Sequence, residues 1–147
     1  MHVFFLIIFI IKKEKMSVQQ IILLVLAALV VGFYLRRYLR LRSINQYTPA
    51  EAASKMKNSL NIIFLDVRSA QERKTGSIKG SLHLPLHELR FKINILEKYK
   101  GKEIICYCRS GNRSLAAASI LKKHGFNSAS LTGGISNWNL YTSQFRG

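Results

Sequence analysis

Apolar residues follow two different patterns along the 147-residue chain. Up to Ser43 they form long runs broken only by a few charged and polar residues, whereas further on they come in short segments between polar residues and turns. This contrast predicts an apolar N-terminal appendage followed by one globular domain. About a hundred residues remain for that domain, which is enough to bury a modest core.

The longest apolar run, from Ile21 to Leu35, contains no charged residue. Together with Val18 and the glutamines between, it would form a helix about 27 Å long, close to the roughly 30 Å of a bilayer core. The tyrosines and arginines around the end of the run suit a membrane interface. We therefore predict a single transmembrane helix at residues 18–35 and a basic juxtamembrane linker at residues 36–45.

A cleaved signal peptide is the competing interpretation of this run. The small-residue cleavage site of a signal peptide is missing, and R-R-Y-L-R-L-R at residues 36–42, which is typical of a stop-transfer flank, follows instead. A buried core helix fits less well, because no polar face interrupts the run. By the positive-inside rule, the basic flank predicts an anchored protein whose domain lies in the cytoplasm.

Residues 1–15 hold a shorter apolar run that would cover only about 14 Å as a helix, too little to cross a bilayer. A second methionine follows at Met16. If translation begins there, residues 1–15 are a start-site extension, and the basic asymmetry across the membrane helix becomes stronger. The intact mass of the native protein would decide between the two starts.

Beyond residue 45, helical and strand patterns alternate. The segment Thr48-Pro49-Ala50-Glu51 is a helix start, because Thr caps free amides, Pro suits the first helical position and Glu completes a capping box. We predict helices from there to about residue 58, at 87–99 and at 112–124, a helical turn at 135–140, and strands at 61–67, 81–86, 103–108 and 127–131. This alternation predicts an α/β domain with a mainly parallel sheet over residues 46–144.

The segment C-Y-C-R-S-G-N-R-S at residues 106–114 lies where a predicted strand passes into a predicted helix. In parallel sheets, ligands bind beyond the carboxyl ends of the strands, where Cys108 would fall. A loop that contains glycine can turn backbone N–H groups inward, and this one leads into a helix N-terminus. Because these groups and Arg109 and Arg113 favour a thiolate, we expect Cys108 to have a pKa below about 8.5 and to act as a nucleophile without a general base.

Cys106 differs from Cys108, because it alternates with Tyr107 inside the strand. We interpret it as core packing, with resolution of a Cys108 persulfide as the alternative. A disulfide is not expected, since residues two apart in a strand lie about 6.6 Å apart, near the limit of disulfide geometry. A metal site fits poorly, because C-x-C lacks the usual ligand spacing and the four histidines are scattered, so we expect neither a metal nor a cofactor.

Four segments together resemble the single-domain rhodanese family: F-L-D-V-R-S-A-Q-E (64–72), G-S-I-K-G-S-L-H-L-P-L (76–86), C-R-S-G-N-R-S (108–114) and L-T-G-G-I-S-N-W (131–138). An apolar anchor before one such domain is similar to the small membrane-anchored rhodanese-like proteins of bacteria. The resemblance implies a three-layer α/β fold around a mainly parallel sheet, held at the inner membrane. It also implies a sulfurtransferase that moves sulfane sulfur, through a Cys108 persulfide, from a donor such as thiosulfate to an acceptor such as cyanide or a thiol.

Matched to the family residue by residue, Cys108 is the catalytic nucleophile. The active-site loop that binds substrate is implied to consist of Arg109, Ser110, Gly111, Asn112 and Arg113. Asp66 and Arg68 match the family's D-V-R and are implied to brace a supporting loop. Two positions depart from the family, since Ser77 stands in place of His and Arg73 in place of the usual aromatic residue, and both put substrate preference in doubt.

Two other functions stay open. Related phosphatases resemble this site but use C-x5-R, because a phosphate needs a wider loop than one sulfur atom, whereas Cys108 and Arg113 form the shorter C-x4-R. A membrane-docked relay or binding module would instead accept persulfide sulfur from a protein donor, or pass it to a protein acceptor, and would have little activity on thiosulfate.

The chain carries 23 Lys and Arg against seven Asp and Glu, for a formal net charge of +16. These basic residues are spread along the domain rather than interleaved with aromatic residues in a stripe, so nucleic acid is not an expected partner. We interpret the surplus as attraction to anionic lipid next to the anchor and steering of small sulfur-containing anions. A basic bias of the whole proteome is the alternative.

Overall fold

The computed structural model describes residues 17–59 and 61–144. The described residues divide into two compact units, one ending at residue 39 and the other beginning at residue 40. The prediction that residues 1–15 are a start-site extension lies outside the described residues.

The first described element is a 25-residue helix, α1, at Val18–Arg42. Its first 19 residues, Val18–Arg36, reach a mean hydropathy of 2.4, and none of this stretch is buried. By length and composition the helix could cross a membrane, and a signal sequence has the same properties. It extends beyond the predicted residues 18–35 into the basic flank, which contains no Gly or Pro and is rich in the good helix formers Leu and Arg.

The second unit is built on a five-stranded parallel sheet. Its strands are β1 at Asn45–Tyr47, β2 at Ile62–Asp66, β3 at Leu82–His83, β4 at Glu103–Tyr107 and β5 at Asn127–Leu131. They lie in the order β1-β5-β4-β2-β3, with every pair parallel. The predicted α/β class and parallel sheet are confirmed.

Helices connect the strands and cover both faces of the sheet. They are α2 at Pro49–Asn58, α3 at Ala70–Lys74, α4 at Leu86–Leu89, a 3-10 helix at Ile93–Tyr99, α5 at Asn112–Lys123 and α6 at Gly134–Ser143. At the start of α2, the Thr48 hydroxyl accepts the Glu51 amide while the Glu51 carboxylate accepts the Thr48 amide, so the predicted capping box is confirmed.

Two apolar clusters fill the spaces between the layers. Along β4, Ile104 and Cys106 belong to one cluster with α5, whereas Ile105 and Tyr107 belong to the other with α2 and α6. This alternation is the period of two that a strand buried on both faces requires. Trp138 of α6 packs in the second cluster, with the centre of its ring 5.4 Å from that of the Phe64 ring.

The predicted single helix at residues 87–99 is wrong in one respect, because the structure has α4, a break, and then the 3-10 helix. Leu89 and Leu96 are buried, but Phe91 and Ile95 are exposed, so the apolar residues of this segment do not share one buried face. Lys92 has the non-helical φ and ψ of −116° and 20° that separate the two pieces. β-branched residues and asparagine have low helix propensity, which suits a short helix here.

Candidate active site

The carboxyl ends of β2 and β4 bring the chemistry of the domain together. β2 ends at Asp66 and β4 ends at Tyr107, which are partners in the parallel register. Cys108 follows directly, and therefore lies at the same edge of the sheet as the Asp66–Arg68 pair. This is the edge at which ligands bind in parallel sheets, as the sequence predicted.

The loop after β4 folds backbone N–H groups around the Cys108 sulfur. Gly111, at the N-cap of α5, has a φ of 107°, a left-handed conformation that side chains disfavour, and its amide donates to Cys108 Sγ at 3.2 Å. On the far side, Cys108 Sγ lies 3.8 Å from the Ser114 hydroxyl. That hydroxyl donates to the Gly111 carbonyl at 2.8 Å and lies 2.9 Å from the Ser130 hydroxyl, so the cradle is itself supported.

Opposing effects set the pKa of Cys108. Burial, which leaves the residue 1% exposed, raises the pKa of the thiol. Hydrogen bonds from the backbone amides of Ser114, Gly111 and Ser110 outweigh it and lower the pKa below its ordinary value. The direction that the sequence predicts is confirmed, and the backbone amides are its main cause.

Cys106 lies two residues earlier, inside β4, and its pKa is shifted in the opposite direction. It is completely buried, and burial, together with the nearby charge of Cys108, raises its pKa far above the ordinary value. Its side chain is fully buried in the first apolar cluster, so its predicted place in the core is confirmed, while its alternative role in resolving a persulfide stays a prediction.

The two loop arginines lie in different surroundings. Arg113 is paired with Glu72, with Nη1 2.8 Å from Oε2 and a second short contact from Nη2 to Oε1. This pairing is the largest cause that raises the pKa of Arg113, and the charge of Cys108 contributes in the same direction. Arg109 is exposed and its carbonyl accepts the Ser136 amide at 3.3 Å, but within residues 17–59 and 61–144 its side chain has neither a hydrogen bond nor an ion pair.

Glu72 is the site residue that sequence reasoning did not single out. The Arg113 guanidinium, with further hydrogen bonds from Ser69, lowers the pKa of this carboxyl to about 2. Glu72 also closes a capping box on α3, since its carboxylate accepts the Ser69 amide at 3.0 Å. The Ser-x-x-Glu pattern was visible in the sequence, but the partner 41 positions later was not.

Asp66 and Arg68 form a buried brace beside the site. Arg68 Nε lies 3.0 Å from Asp66 Oδ1 and Nη2 lies 2.8 Å from Oδ2. The guanidinium also donates to the carbonyls of Glu72 and Gly76, which fixes the segment that carries α3. Burial raises the pKa of Asp66, but the hydrogen bonds from Arg68 outweigh it and lower the pKa overall. These contacts are of the bracing kind that the family resemblance implies.

Both departures from the family pattern lie in this supporting region. Arg73 donates to the carbonyls of Ser81 and Leu82, at 2.9 and 3.2 Å, and therefore ties α3 to the start of β3. Ser77 is exposed in the segment between α3 and β3. Of the remaining loop residues, Ser110 and Asn112 are also exposed, with Asn112 at the first position of α5.

A pair of glycines lets the start of α6 reach the Cys108 backbone. Gly134 has a φ of 59°, and a Cβ placed there would lie 2.3 Å from the Cys108 carbonyl oxygen. This close approach allows the Ile135 amide to donate to that carbonyl at 2.8 Å. Gly134 of the L-T-G-G-I segment is therefore required by contact with the active-site loop, whereas a Cβ at Gly133 would meet the Asn137 side chain.

A cavity of about 380 Å³ opens beside the loop. It is lined by side chains from the brace, the loop and α6, namely Arg68, Glu72, Thr75, Arg109, Ile135, Ser136 and Asn139. Among the described residues, no three His, Cys, Asp or Glu side chains are grouped as a metal ion would require.

Residues 48–141 match the family described as the Rhodanese-like domain. A sulfurtransferase of Allochromatium vinosum is 28% identical over 96 residues, which cover 65% of this chain and 88% of that protein. YrkF of Bacillus subtilis, provisionally named a sulfur carrier protein, is 40% identical over 81 residues, covering 54% of this chain and 42% of that protein. A tRNA uridine(34) hydroxylase of Buchnera aphidicola is 29% identical over 98 residues, which cover 63% of this chain but only 31% of that protein.

The crystal structure of a rhodanese-related protein from Thermoplasma volcanium is similar to the second unit. The two superpose with a TM-score of 0.60 at 35% sequence identity, over 66% of this chain and 92% of that one. The relatives named sulfurtransferase support sulfur transfer in general as the activity of this fold. From its matched residues and its sheet, this chain belongs to the rhodanese-like family.

Proposed function

We propose that this protein is a rhodanese-type sulfurtransferase that carries sulfane sulfur as a persulfide on Cys108. The observation that carries the proposal is the loop geometry, in which the Gly111 amide lies 3.2 Å from Cys108 Sγ and lowers its pKa together with the amides of Ser110 and Ser114. A thiolate present at rest needs no general base before it attacks.

The first half of the reaction loads sulfur. The Cys108 thiolate attacks the outer sulfur of a donor such as thiosulfate, and a new S–S bond forms as the donor's own S–S bond breaks. Sulfite leaves with the electron pair of the broken bond, so no external oxidant or reductant is needed. The terminal sulfur of the persulfide takes the negative charge, and inward-facing amides of the same loop are suited to stabilise it.

The second half unloads sulfur. A thiophilic acceptor such as cyanide or a thiolate attacks the terminal sulfur, forming thiocyanate or a new persulfide, and the electron pair of the broken bond returns to Cys108 as thiolate. In this mechanism Arg109 is the exposed loop cation available to an anionic substrate, and Arg113, Ser110, Gly111 and Asn112 shape the loop. Asp66 and Arg68 keep the supporting segment in place.

Mass spectrometry of the full-length protein in detergent tests this proposal. After exposure to thiosulfate, we expect a mass increase of about 32 Da, one sulfur atom, on the peptide that contains Cys108, and none in Cys108→Ser. Loss of that increase on addition of cyanide, with formation of thiocyanate, would complete the cycle. An unmodified Cys108 in the wild-type protein after exposure to thiosulfate and to a persulfidated protein would overturn the proposal.

A persulfide relay is the second candidate, and the relative provisionally named a sulfur carrier favours it. A relay would load Cys108 from a persulfidated protein but not from thiosulfate, so the same mass measurement with the two donors separates it from the first candidate. A phosphatase is disfavoured by the C-x4-R spacing, and hydrolysis of an aryl phosphate by the wild-type protein would contradict that reasoning.

We further propose that α1 anchors the protein in the inner membrane with the domain in the cytoplasm. The support is the exposed apolar stretch Val18–Arg36, followed by arginines on its C-terminal side. If the proposal holds, the protein stays in the membrane fraction at high salt and alkaline pH, and external protease cuts the domain only in inverted vesicles. Release of a shortened soluble protein would indicate a cleaved signal sequence.

A further inference from the structure

Most arginines around the candidate site are already neutralised or bound within the protein. Arg68 is paired with the buried Asp66 at 2.8 Å, and Arg73 binds two carbonyls and lies 3.7 Å from the same carboxylate. Arg113 is paired with Glu72. Although the domain is strongly basic, the cations nearest to the candidate site are therefore largely compensated.

The charged side chains that line the cavity beside the loop are balanced in the same way. Among the charged side chains that line it, Arg68 is held by its carboxylate partner, Glu72 is negative, and Arg109 is the one cation without a described partner. The Glu72 side chain is 32% exposed, and it is ionised at physiological pH, since the pairing with Arg113 lowers its pKa from an already acidic value to about 2. A donor that enters this cavity, beside the loop that holds Cys108, meets the Arg109 guanidinium, unpaired among the described residues, and the Glu72 carboxylate in its wall.

From this arrangement we infer that Glu72 is a specificity-determining residue, which disfavours doubly charged sulfur donors relative to donors with a single negative charge. The inference rests on the proposed sulfur transfer at Cys108 and names the class of donor for that site. Among physiological donors, Glu72 would therefore favour persulfides and other donors of low charge over thiosulfate.

Elementary electrostatics gives the direction in which the charge of Glu72 changes selectivity between the two classes of donor. A dianion approaching a thiolate is repelled twice as strongly as a monoanion, and the carboxylate of Glu72 adds repulsion in the same proportion. Without Glu72, Arg113 would add a second uncompensated cation, which also favours a dianion more than a monoanion. Both changes therefore shift selectivity in the same direction.

A monoanionic donor of matched chemistry makes the comparison possible. The donor is the methanethiosulfonate ion, CH3–SO2–S⁻. The Cys108 thiolate attacks its terminal sulfur, and methanesulfinate leaves with the electron pair of the broken S–S bond. The persulfide formed on Cys108 is the same as that from thiosulfate. The two donors therefore differ chiefly by one unit of charge.

Glu72 also closes the capping box of α3, so the test must separate the effect of its charge from its effect on that helix. The chain offers a matched control in Glu51, which closes the equivalent box of α2 without an arginine partner among the described residues. Glutamine is accepted at this position of a capping box, so Glu72→Gln and Glu51→Gln both keep the cap and remove one charge. Glu72→Asp keeps the charge but alters the side-chain length.

The experiment compares kcat/KM for thiosulfate and methanethiosulfonate in the full-length protein and these three variants. In Glu72→Gln we expect the ratio of thiosulfate to methanethiosulfonate efficiency to rise about fivefold, allowing for the solvent screening of a partly exposed pair. The ratio should stay within about twofold of wild type in Glu51→Gln and in Glu72→Asp. Because it is a ratio within one variant, partial loss of folded protein does not alter it.

An unchanged ratio in Glu72→Gln, or an equal rise in Glu51→Gln, would overturn the role of Glu72 while sulfur transfer stands. If the wild-type protein takes sulfur from neither donor and from no persulfide, the proposed function fails instead. The two failures are therefore distinguishable.

Discussion

Cys106 and Cys108 are the same residue type, two positions apart at the end of one strand, and both are buried. Yet the pKa of Cys106 is raised, whereas that of Cys108 is lowered. Burial raises the pKa of both thiols, so exposure does not explain the difference. Both side chains belong to the same apolar cluster, and the difference lies in the hydrogen bonds that the amides of Gly111, Ser110 and Ser114 make to the Cys108 sulfur.

The reactivity of the Cys108 thiol therefore depends on the path that the backbone takes after β4. The strand positions both cysteines equally well, but only the second lies where the chain turns into α5. A left-handed glycine at position 111 and the close approach of Gly134 create that turn. The reactivity of a thiol here depends on which backbone groups point at it.

Substitution of each cysteine should have the largest effects and tests the different roles of Cys106 and Cys108. Cys108→Ser should lower sulfurtransferase activity by about a thousandfold or more, because a hydroxyl does not supply the nucleophilic thiolate. Cys106→Ala should keep activity within about twofold and lower the free energy of unfolding by about 1 kcal/mol, through a small cavity in the core. Steady-state kinetics and denaturant unfolding measure both effects. A large loss of activity in a folded Cys106→Ala protein would show that Cys106 takes part in the reaction.

Distortion of the loop, with both sulfurs kept, should have the next largest effect. Gly134→Ala places a methyl group against the Cys108 carbonyl and forces a left-handed φ on a residue with a side chain, so we expect a loss of about 2 to 4 kcal/mol in the free energy of unfolding. Activity should fall at the same time, since the Cys108 backbone must shift. The measurements are denaturant unfolding and kinetics of the folded fraction.

Gly101→Ala is the matched control for this change. Its added Cβ would meet nothing within 4 Å, so stability and activity should both stay near those of the wild type. Equal stability of Gly134→Ala and Gly101→Ala would contradict the close packing of α6 on the loop.

Removal of the Ser114 hydroxyl should have a smaller effect, confined to the pKa of Cys108. Ser114→Ala removes the group 3.8 Å from Cys108 Sγ that also holds the Gly111 carbonyl, so the pKa of Cys108 should rise. One hydrogen bond is worth about 1 kcal/mol, which corresponds to about fivefold less thiolate at a pH below the pKa. The rate of alkylation at neutral pH reports this change. Ser128→Ala, which removes a buried hydroxyl bound to the Ala118 carbonyl, should leave the rate unchanged.

Local signals in the sequence predicted much of this fold. The capping box at Thr48 and the apolar strands depend on neighbours within a few residues, and both are found where expected, although β3 is shorter than predicted. The position of Cys108 also followed from local order, because a strand, a glycine loop and a helix come in succession. Such features are specified by short-range geometry.

Features that depend on distant contacts were missed. β1 has only three residues, two of them exposed, and its pairing with β5 lies far along the chain. α3 has five residues and none is buried, so it has no apolar pattern to read. The pairing of Glu72 with Arg113 joins residues 41 positions apart. A single sequence carries no signal for such a pair, because either residue could equally face solvent.

The pH dependence of Cys108 alkylation tests the central claim most directly. In full-length protein carrying Cys106→Ala, the rate of reaction with iodoacetamide follows the thiolate fraction of Cys108. A lowered pKa means that the thiolate persists as the pH falls, so the midpoint should lie clearly below about 8.5 and shift upwards in Ser114→Ala. A midpoint at or above about 8.5 in the folded protein would contradict the claim that backbone amides hold this sulfur as a thiolate.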